Sequence, residues 1–288
     1  GGLSFISFFT LFFLEDVFPI NEYFLYFFVI FFIVLLGFIE DISESLNSKL
    51  RAVLSSLIII IFIINTDFRI TSVDINFIDN ILSNKYFSII FLFICIFISI
   101  HSFNLIDGMN GLCSGYSLIC LIVLYFVFKN YSFVNFEIIC LVLIGCVLGF
   151  FVLNFPLPKI FLGDSGSYFL GFVIAVLAVM TATQSTDISP WFFALLYIYP
   201  VTEFVFSILR RIFLKNSPFQ SDFNHLHSLI FIFLKRKKYF SNENINNSLS
   251  SLVILNLFSY QLFFSLLFIN NTKILIFFCF LSVIIYFS

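Results

Sequence analysis

Four polar clusters interrupt an otherwise apolar chain, and their residue types are those that handle phosphate and divalent cations. The first is Glu40-Asp41, followed by Lys49. The second reads Asn104-Leu-Ile-Asp107-Gly108-Met-Asn110-Gly111, and the third Asn154-Phe-Pro-Leu-Pro-Lys159-Ile-Phe161-Leu-Gly163-Asp164-Ser165-Gly166-Ser167. The fourth is Arg210-Arg211, then Ser217-Pro218-Phe219-Gln-Ser-Asp222-Phe-Asn-His225-Leu-His227. Acidic groups at a membrane surface are costly to desolvate, so they need partners or a task. If Glu40, Asp41, Asp107, Asp164 and Asp222 converge, their repulsion calls for a divalent cation. Oxygen ligands that keep bound waters favour Mg²⁺. Mg²⁺ in turn bridges carboxylates to substrate phosphates, which points to phosphoryl transfer. Gly108, Gly111, Gly163 and Gly166 allow backbone to approach a ligand, and helix N-termini offer N–H groups to anions. Pro156 and Pro158 keep the approach to Phe161 out of a helix.

Each cluster alone also has an ordinary reading. Glu40-Asp41 is equally a solvated helix end, and Asn-x-x-Asp-Gly equally a turn. The basic run 235–238 reads as a topology anchor. His225 and His227, two apart, share a face only on an extended segment, and with no Cys nearby they make a weak zinc site. His101 is assigned no role.

The elements that must position these clusters are membrane helices. Hydrophobic residues make up 61% of the chain, charged residues 10%, and mean hydropathy is +1.12, against about 25% charged in a soluble domain. The 48 Phe read as mutational bias in an AT-rich genome rather than function, and a net charge of −2 gives no reason to expect nucleic acid. The six Cys show no CxxC spacing and read as small buried hydrophobes. Apolar runs fall at 3–14, 23–39, 52–65, 86–101, 112–128, 137–153, 168–183, 191–209, 251–269 and 273–287, which predicts an all-α polytopic bundle of about ten spans. The 52–65 run also suits a buried core helix. Alternating the sides puts ten of the 14 Lys and Arg on the side of the four clusters, and so places that side in the cytoplasm. One integral membrane domain is expected over 1–288, with cytoplasmic loops at 40–51, 102–111, 154–167 and 210–250. The Asn- and Ser-rich 241–251 stretch reads as a flexible connector.

Asn-Leu-Ile-Asp-Gly-Met-Asn-Gly-Leu at 104–112 and Pro-Lys-Ile-Phe-Leu-Gly-Asp-Ser-Gly-Ser-Tyr-Phe-Leu-Gly at 158–171 resemble the polyprenyl-phosphate N-acetylhexosamine-1-phosphate transferases, glycosyltransferase family 4. The Ser-Pro-Phe…His-Leu-His segment is similar to the WecA-like branch, which starts cell-envelope polysaccharide or O-antigen assembly. The resemblance implies transfer of a sugar-1-phosphate from a UDP-N-acetylhexosamine to undecaprenyl phosphate, with release of UMP. It implies Mg²⁺, or Mn²⁺ in its place, at a cytoplasm-facing site of the bacterial inner membrane. Asp164 and Asp107 would be the metal ligands, and Asp41 would orient or deprotonate the lipid phosphate. Asn154 and Phe161 would contact uridine, Gly108 would allow close backbone approach, and His225 and His227 would hold diphosphate or sugar. Glu40, Lys49, Asn104 and Asn110 complete the expected substrate-binding set. Membrane lipid is an implied partner, and a homodimer is left open. The family usually has eleven spans, so a first helix before Gly1-Gly2 is expected to be missing.

Three positions depart from the family pattern. Its paired Asp is Glu40-Asp41, its Asp-Arg is Asp222-Phe223, and Ser228 stands where many members carry a further His. The alternatives are a phospho-N-acetylmuramoyl-pentapeptide transferase, a non-catalytic carrier of lipid-linked sugar, and an intramembrane serine protease pairing Ser165 with His101.

Overall fold

The computed structural model describes residues 20–43, 47–218, 224–237 and 240–288. Gly1-Gly2, the 3–14 run, Phe219, Asp222, Phe223 and Lys238 lie outside the described residues. Among those described, every regular element is a helix. In chain order they are α1 (Ile20–Ser43), α2 (Ser48–Ile64), α3 (Asn76–Leu82), α4 (Lys85–Leu105), α5 (Leu112–Asn130) and α6 (Val134–Asn154). Then come α7 (Gly163–Gln184), α8 (Pro190–Leu196), α9 (Ile198–Phe213), α10 (Leu226–Lys237), α11 (Glu243–Ser265) and α12 (Thr272–Phe287).

The nine apolar runs from 23–39 onward all fall on helix, but not all are full spans. Six helices (α1, α4, α5, α6, α7 and α11) are long and apolar enough to cross a membrane, and α8 with α9 makes a seventh across a 71° bend. At 17 and 16 residues α2 and α12 are short of that length, since a crossing takes about 20 residues. The expectation of a multi-span helical bundle is thus met, with six full-length spans, or seven counting the bent pair, among the described residues. The bend in the 191–209 run follows Tyr197, and Pro200 sits in the first turn of α9. Proline interrupts a continuing helix because it lacks an N–H and its ring crowds the preceding turn. Nor is α2 a buried core helix: Ser55, Ile59, Phe62 and Ile63 face inward while Val53, Leu57, Ile60 and Ile64 are exposed.

Lipid gives apolar helices no hydrophobic reason to associate, so close packing and hydrogen bonds must hold them together. Helix α7 is the most enclosed, buried nearly throughout from Ser165 to Val179. On one side Gly171 rests against Ile100 and Ser99 of α4, and the Ser99 hydroxyl donates to the Gly171 carbonyl at 2.7 Å. On another, Gly37 of α1 lies against the backbone of Asp164 and Ser165.

Two polar networks lie at the ends of the bundle. At one end Asp74 accepts from Ser189 and Thr272, and Trp191 donates to the Val73 carbonyl. The other end holds all the described motif residues. There the loops are shorter than their composition suggested, because α1 runs on to Ser43, α4 to Leu105, and α7 begins at Gly163. The 241–251 stretch is no flexible connector. Asn242 caps α11 by accepting from the Asn244 N–H at 2.9 Å, and Asn246, Ser248, Ser250 and Ser251 are buried. Tertiary packing overrides the weak helix propensity of Asn and Ser.

Candidate functional site

The N-terminus of α7 is the centre of the polar end. Like any helix start it carries N–H groups with no partner in the helix. Leu162, at the capping position, has no side-chain acceptor to offer. Asp41, at the end of α1, supplies one from outside. Its Oδ1 accepts the Asp164 N–H at 2.7 Å, and its Oδ2 accepts the Ser165 N–H at 3.1 Å and the Ser165 hydroxyl at 2.7 Å. A carboxylate there also meets the positive end of the helix dipole. Gly163 makes the approach possible: its φ is +73°, and a Cβ on it would stand 2.7 Å from both Asp41 oxygens.

Asp164 is turned the other way, toward cations and amides. Its Oδ2 accepts from the Arg51 guanidinium at 2.6 Å, and its Oδ1 from the Asn104 side-chain amide at 2.9 Å. The same amide donates to the Ser167 hydroxyl at 3.0 Å. Glu40 stands 3.8 Å from Arg51. Asp107, in the turn after α4, takes a hydrogen bond from the Gly163 backbone. Burial, then the nearby Asp164 and Asp41 carboxylates, push its pKa well above the ordinary carboxylate range. Lys49 is exposed on the first turn of α2.

The second and third motifs are locked together. The Asn154 carbonyl oxygen accepts the Gly111 N–H at 2.6 Å, and its amide donates to the Ile160 carbonyl at 2.8 Å. Asn110 is buried, and its N–H donates to Asn247 of α11 at 2.7 Å. Ser248 of the same helix donates to the Pro156 carbonyl. Phe161 is 70% exposed. Asn154→Ala leaves the buried Gly111 N–H without a partner, at a cost of about 1–3 kcal/mol, and also frees the half-buried Ile160 carbonyl. Melting of the detergent-solubilised variant should drop accordingly, and an unchanged melting temperature would contradict the bridging role.

The two histidines meet α9. His225 Nδ1 lies 2.9 Å from Glu203 Oε1, the His225 and His227 rings stack with centroids 5.2 Å apart, and Tyr199 Oη lies 3.4 Å from His227 Nδ1. Gly108 closes the gap to the second motif: its Cβ position is 2.9 Å from His227 Nε2. Burial is the largest influence on His227 and lowers its pKa to about 4, so it is neutral near pH 7. A base whose pKa is lower folded than unfolded costs stability as pH falls from about 6.5 toward 4. Wild-type melting temperature should therefore fall across that window, and His227→Gln should remove part of the fall.

Sequence reasoning placed Asp41, Asp107, Asp164, Asn104 and the histidines at one end of the bundle, and the structure brings them together there. It missed Arg51, seen only as a topology charge. It also missed Gly37, Asn247, Ser248 and Glu203, although Glu203 is the sole charged residue in the 191–209 run. An ionisable residue inside an apolar span is a signal in its own right. The protease reading loses its pair: the Ser165 hydroxyl bonds Asp41, and His101 Nε2 bonds Ser55 at 3.0 Å.

Among the described residues no group of three or more His, Cys, Asp or Glu could hold a metal ion. Two carboxylates remain, Asp107 and Asp164; burial raises Asp107 most and repulsion from Asp164 next, and a cation relieves that repulsion. That donor set fits Mg²⁺, which takes one or two carboxylates and fills its shell with water and substrate phosphate.

The family model described as Glycosyl transferase family 4 matches residues 23–182. Over 134 residues the chain is 33% identical to a probable undecaprenyl-phosphate N-acetylglucosaminyl 1-phosphate transferase of Bacillus subtilis, covering 46% of this chain and 37% of that protein. It is 31% identical over 141 residues to the undecaprenyl-phosphate alpha-N-acetylglucosaminyl 1-phosphate transferase of Escherichia coli K12, with 46% and 37% covered. A phospho-N-acetylmuramoyl-pentapeptide-transferase of Staphylococcus aureus is 28% identical over 254 residues, covering 77% of this chain and 75% of that protein. The chain thus spans 37% of the length of each of the first two relatives.

Proposed function

The chain belongs to glycosyl transferase family 4, and on that premise we propose that it moves N-acetylhexosamine-1-phosphate from a UDP-sugar to undecaprenyl phosphate. The product starts a cell-envelope polysaccharide, and the site faces the cytoplasm, the side that carries the excess of Lys and Arg. The ten-span count belongs to this proposal too: α2 and α12 as short crossings bring the described spans to nine, and the count of ten also takes in the 3–14 run, which lies outside the described residues. What supports the reading is one observation: Asp41, Asp107 and Asp164 gather around the first turn of α7, with Arg51 beside them.

The lipid phosphate oxygen attacks the β-phosphorus, the bond to the bridging oxygen breaks, and UMP leaves with the electron pair. Asp107 and Asp164 would hold a Mg²⁺, which would supply charge neutralisation on the diphosphate. The chain's own residues do the rest. Asp41 positions α7, and hence Asp164, because both its oxygens are engaged by that helix. Arg51 offers a cation beside Asp164, and neutral His227 presents Nε2 to the Gly108 turn. Exposed Phe161 is a stacking surface for uracil, Asn154 holds its loop, Asn104 holds Asp164, and Lys49, Glu40 and Asn110 complete the proposed substrate-binding set.

The pentapeptide-transferase reading is the second one, favoured by the longer match to the Staphylococcus aureus relative. The complete protein, reconstituted with undecaprenyl phosphate and Mg²⁺, should release UMP from a UDP-N-acetylhexosamine. Release only from UDP-N-acetylmuramoyl-pentapeptide would select the second reading. No release from any donor by folded protein would contradict both and favour the carrier.

A further inference from the structure

Helix α9 carries a polar stripe that the family match, which ends at residue 182, does not reach. Tyr199, Glu203 and Ser207 recur every fourth residue, so they share one face of the helix, and all are buried, Glu203 completely. Each meets the histidine segment. Tyr199 reaches His227 and Ser207 reaches His225 Nδ1 at 3.2 Å. Glu203 does more. Its Oε1 meets His225 Nδ1 at 2.9 Å, and its Oε2 accepts the Leu226 N–H, the first N–H of α10, at 3.2 Å.

A carboxylate with two donors converging on it cannot be exchanged for an amide without loss. An ionised carboxylate only accepts, so His225 donates to it through Nδ1. An amide has a single acceptor oxygen, so its NH₂ would confront either His225 or Leu226. We infer that Glu203 is a positioning residue of the transferase: it fixes the orientation and tautomer of His225 and pins the start of α10, and so sets His227 against the Gly108 turn. This rests on the transferase reading for its kinetic consequence alone.

The test uses the complete protein with ¹⁵N-labelled histidine side chains, and this chain has 3 of them. Glu203→Gln should change the ring-nitrogen resonances of His225 and leave those of His101 in place. In the UMP-release assay it should lower kcat/KM on the order of 10- to 100-fold, the scale for losing the partner that orients a functional imidazole. Glu203→Asp, which keeps both acceptors, should recover part of the loss. In a His225→Ala background Glu203→Gln should cost less than about 2-fold more, because the two act as one unit. Unchanged His225 resonances in Glu203→Gln, or losses that multiply in the double variant, would overturn the inference. A wild-type protein that releases no UMP would sink the transferase reading instead, and the resonances would still decide the positioning role.

Discussion

Asp164→Asn is expected to abolish UMP release, by about three orders of magnitude, while leaving the protein folded. The substitution is isosteric, and what Asp41 holds at this position is the backbone N–H, which Asn keeps. Asn104 can still donate to the remaining oxygen, so the link to α4 survives. What disappears is charge. The amide NH₂ faces the Arg51 guanidinium that the carboxylate holds at 2.6 Å, and the proposed two-carboxylate cation site falls to one. A metal acting on a diphosphate contributes several kcal/mol, and each 1.36 kcal/mol is tenfold in rate. Loss of Mn²⁺ binding, read by electron paramagnetic resonance, should accompany the loss of turnover. Activity within a few-fold of wild type would remove Asp164 from the chemistry.

Gly37→Ala should disable the enzyme from a position that touches no substrate. A Cβ at 37 would stand 2.4 Å from the Ser165 nitrogen and 2.5 Å from the Asp164 carbonyl carbon. Both are backbone atoms at the start of a buried helix, so neither swings aside. Restoring ordinary contact moves α1 from α7 by about 1 Å, and overpacking of this kind costs about 1–3 kcal/mol. Asp41 is one turn further along α1, so its hydrogen bonds to the α7 start stretch by a similar amount. A 1 Å misplacement costs on the order of 100-fold in rate, and Gly37→Ala should lose about that much together with melting temperature. Gly149→Ala on α6, where a Cβ meets nothing within 4 Å, should lose neither. Equal behaviour of the two variants would contradict the α1–α7 contact.

Much of the site was legible because its chemistry is local. Asp41, Asn104, Asp107 and Asp164 announce themselves by type and by standing at the ends of apolar runs, and the charge asymmetry gathers them on one side before any coordinates are known. What stayed hidden depends on partners far along the chain. Gly37 looks like any glycine in an apolar helix until the start of α7, more than 120 residues later, is laid against it. Arg51 reads as an anchor because only the fold reveals its carboxylate. Asn154 reads as a ligand residue by its motif, yet both ends of its amide are spent on the Gly111 and Ile160 backbone. The Asn- and Ser-rich start of α11 misled for the opposite reason. Its composition is that of a loop, while Asn247 and Ser248 are used to hold two motif turns. Glu203 was readable and went unread. The bend in 191–209 was too, since Pro200 marks it.

The most direct measurement follows the β-phosphorus. UDP-N-acetylglucosamine labelled with ³²P at the β-position is incubated with the complete protein, undecaprenyl phosphate and Mg²⁺, and the organic and aqueous phases are counted. The account predicts label in the lipid phase and unlabelled UMP in the aqueous phase, with both absent in Asp164→Asn. Sugar reaching the lipid while the label stays on the nucleotide would mean cleavage at the glycosidic bond, and would contradict the phosphosugar transfer proposed for this site.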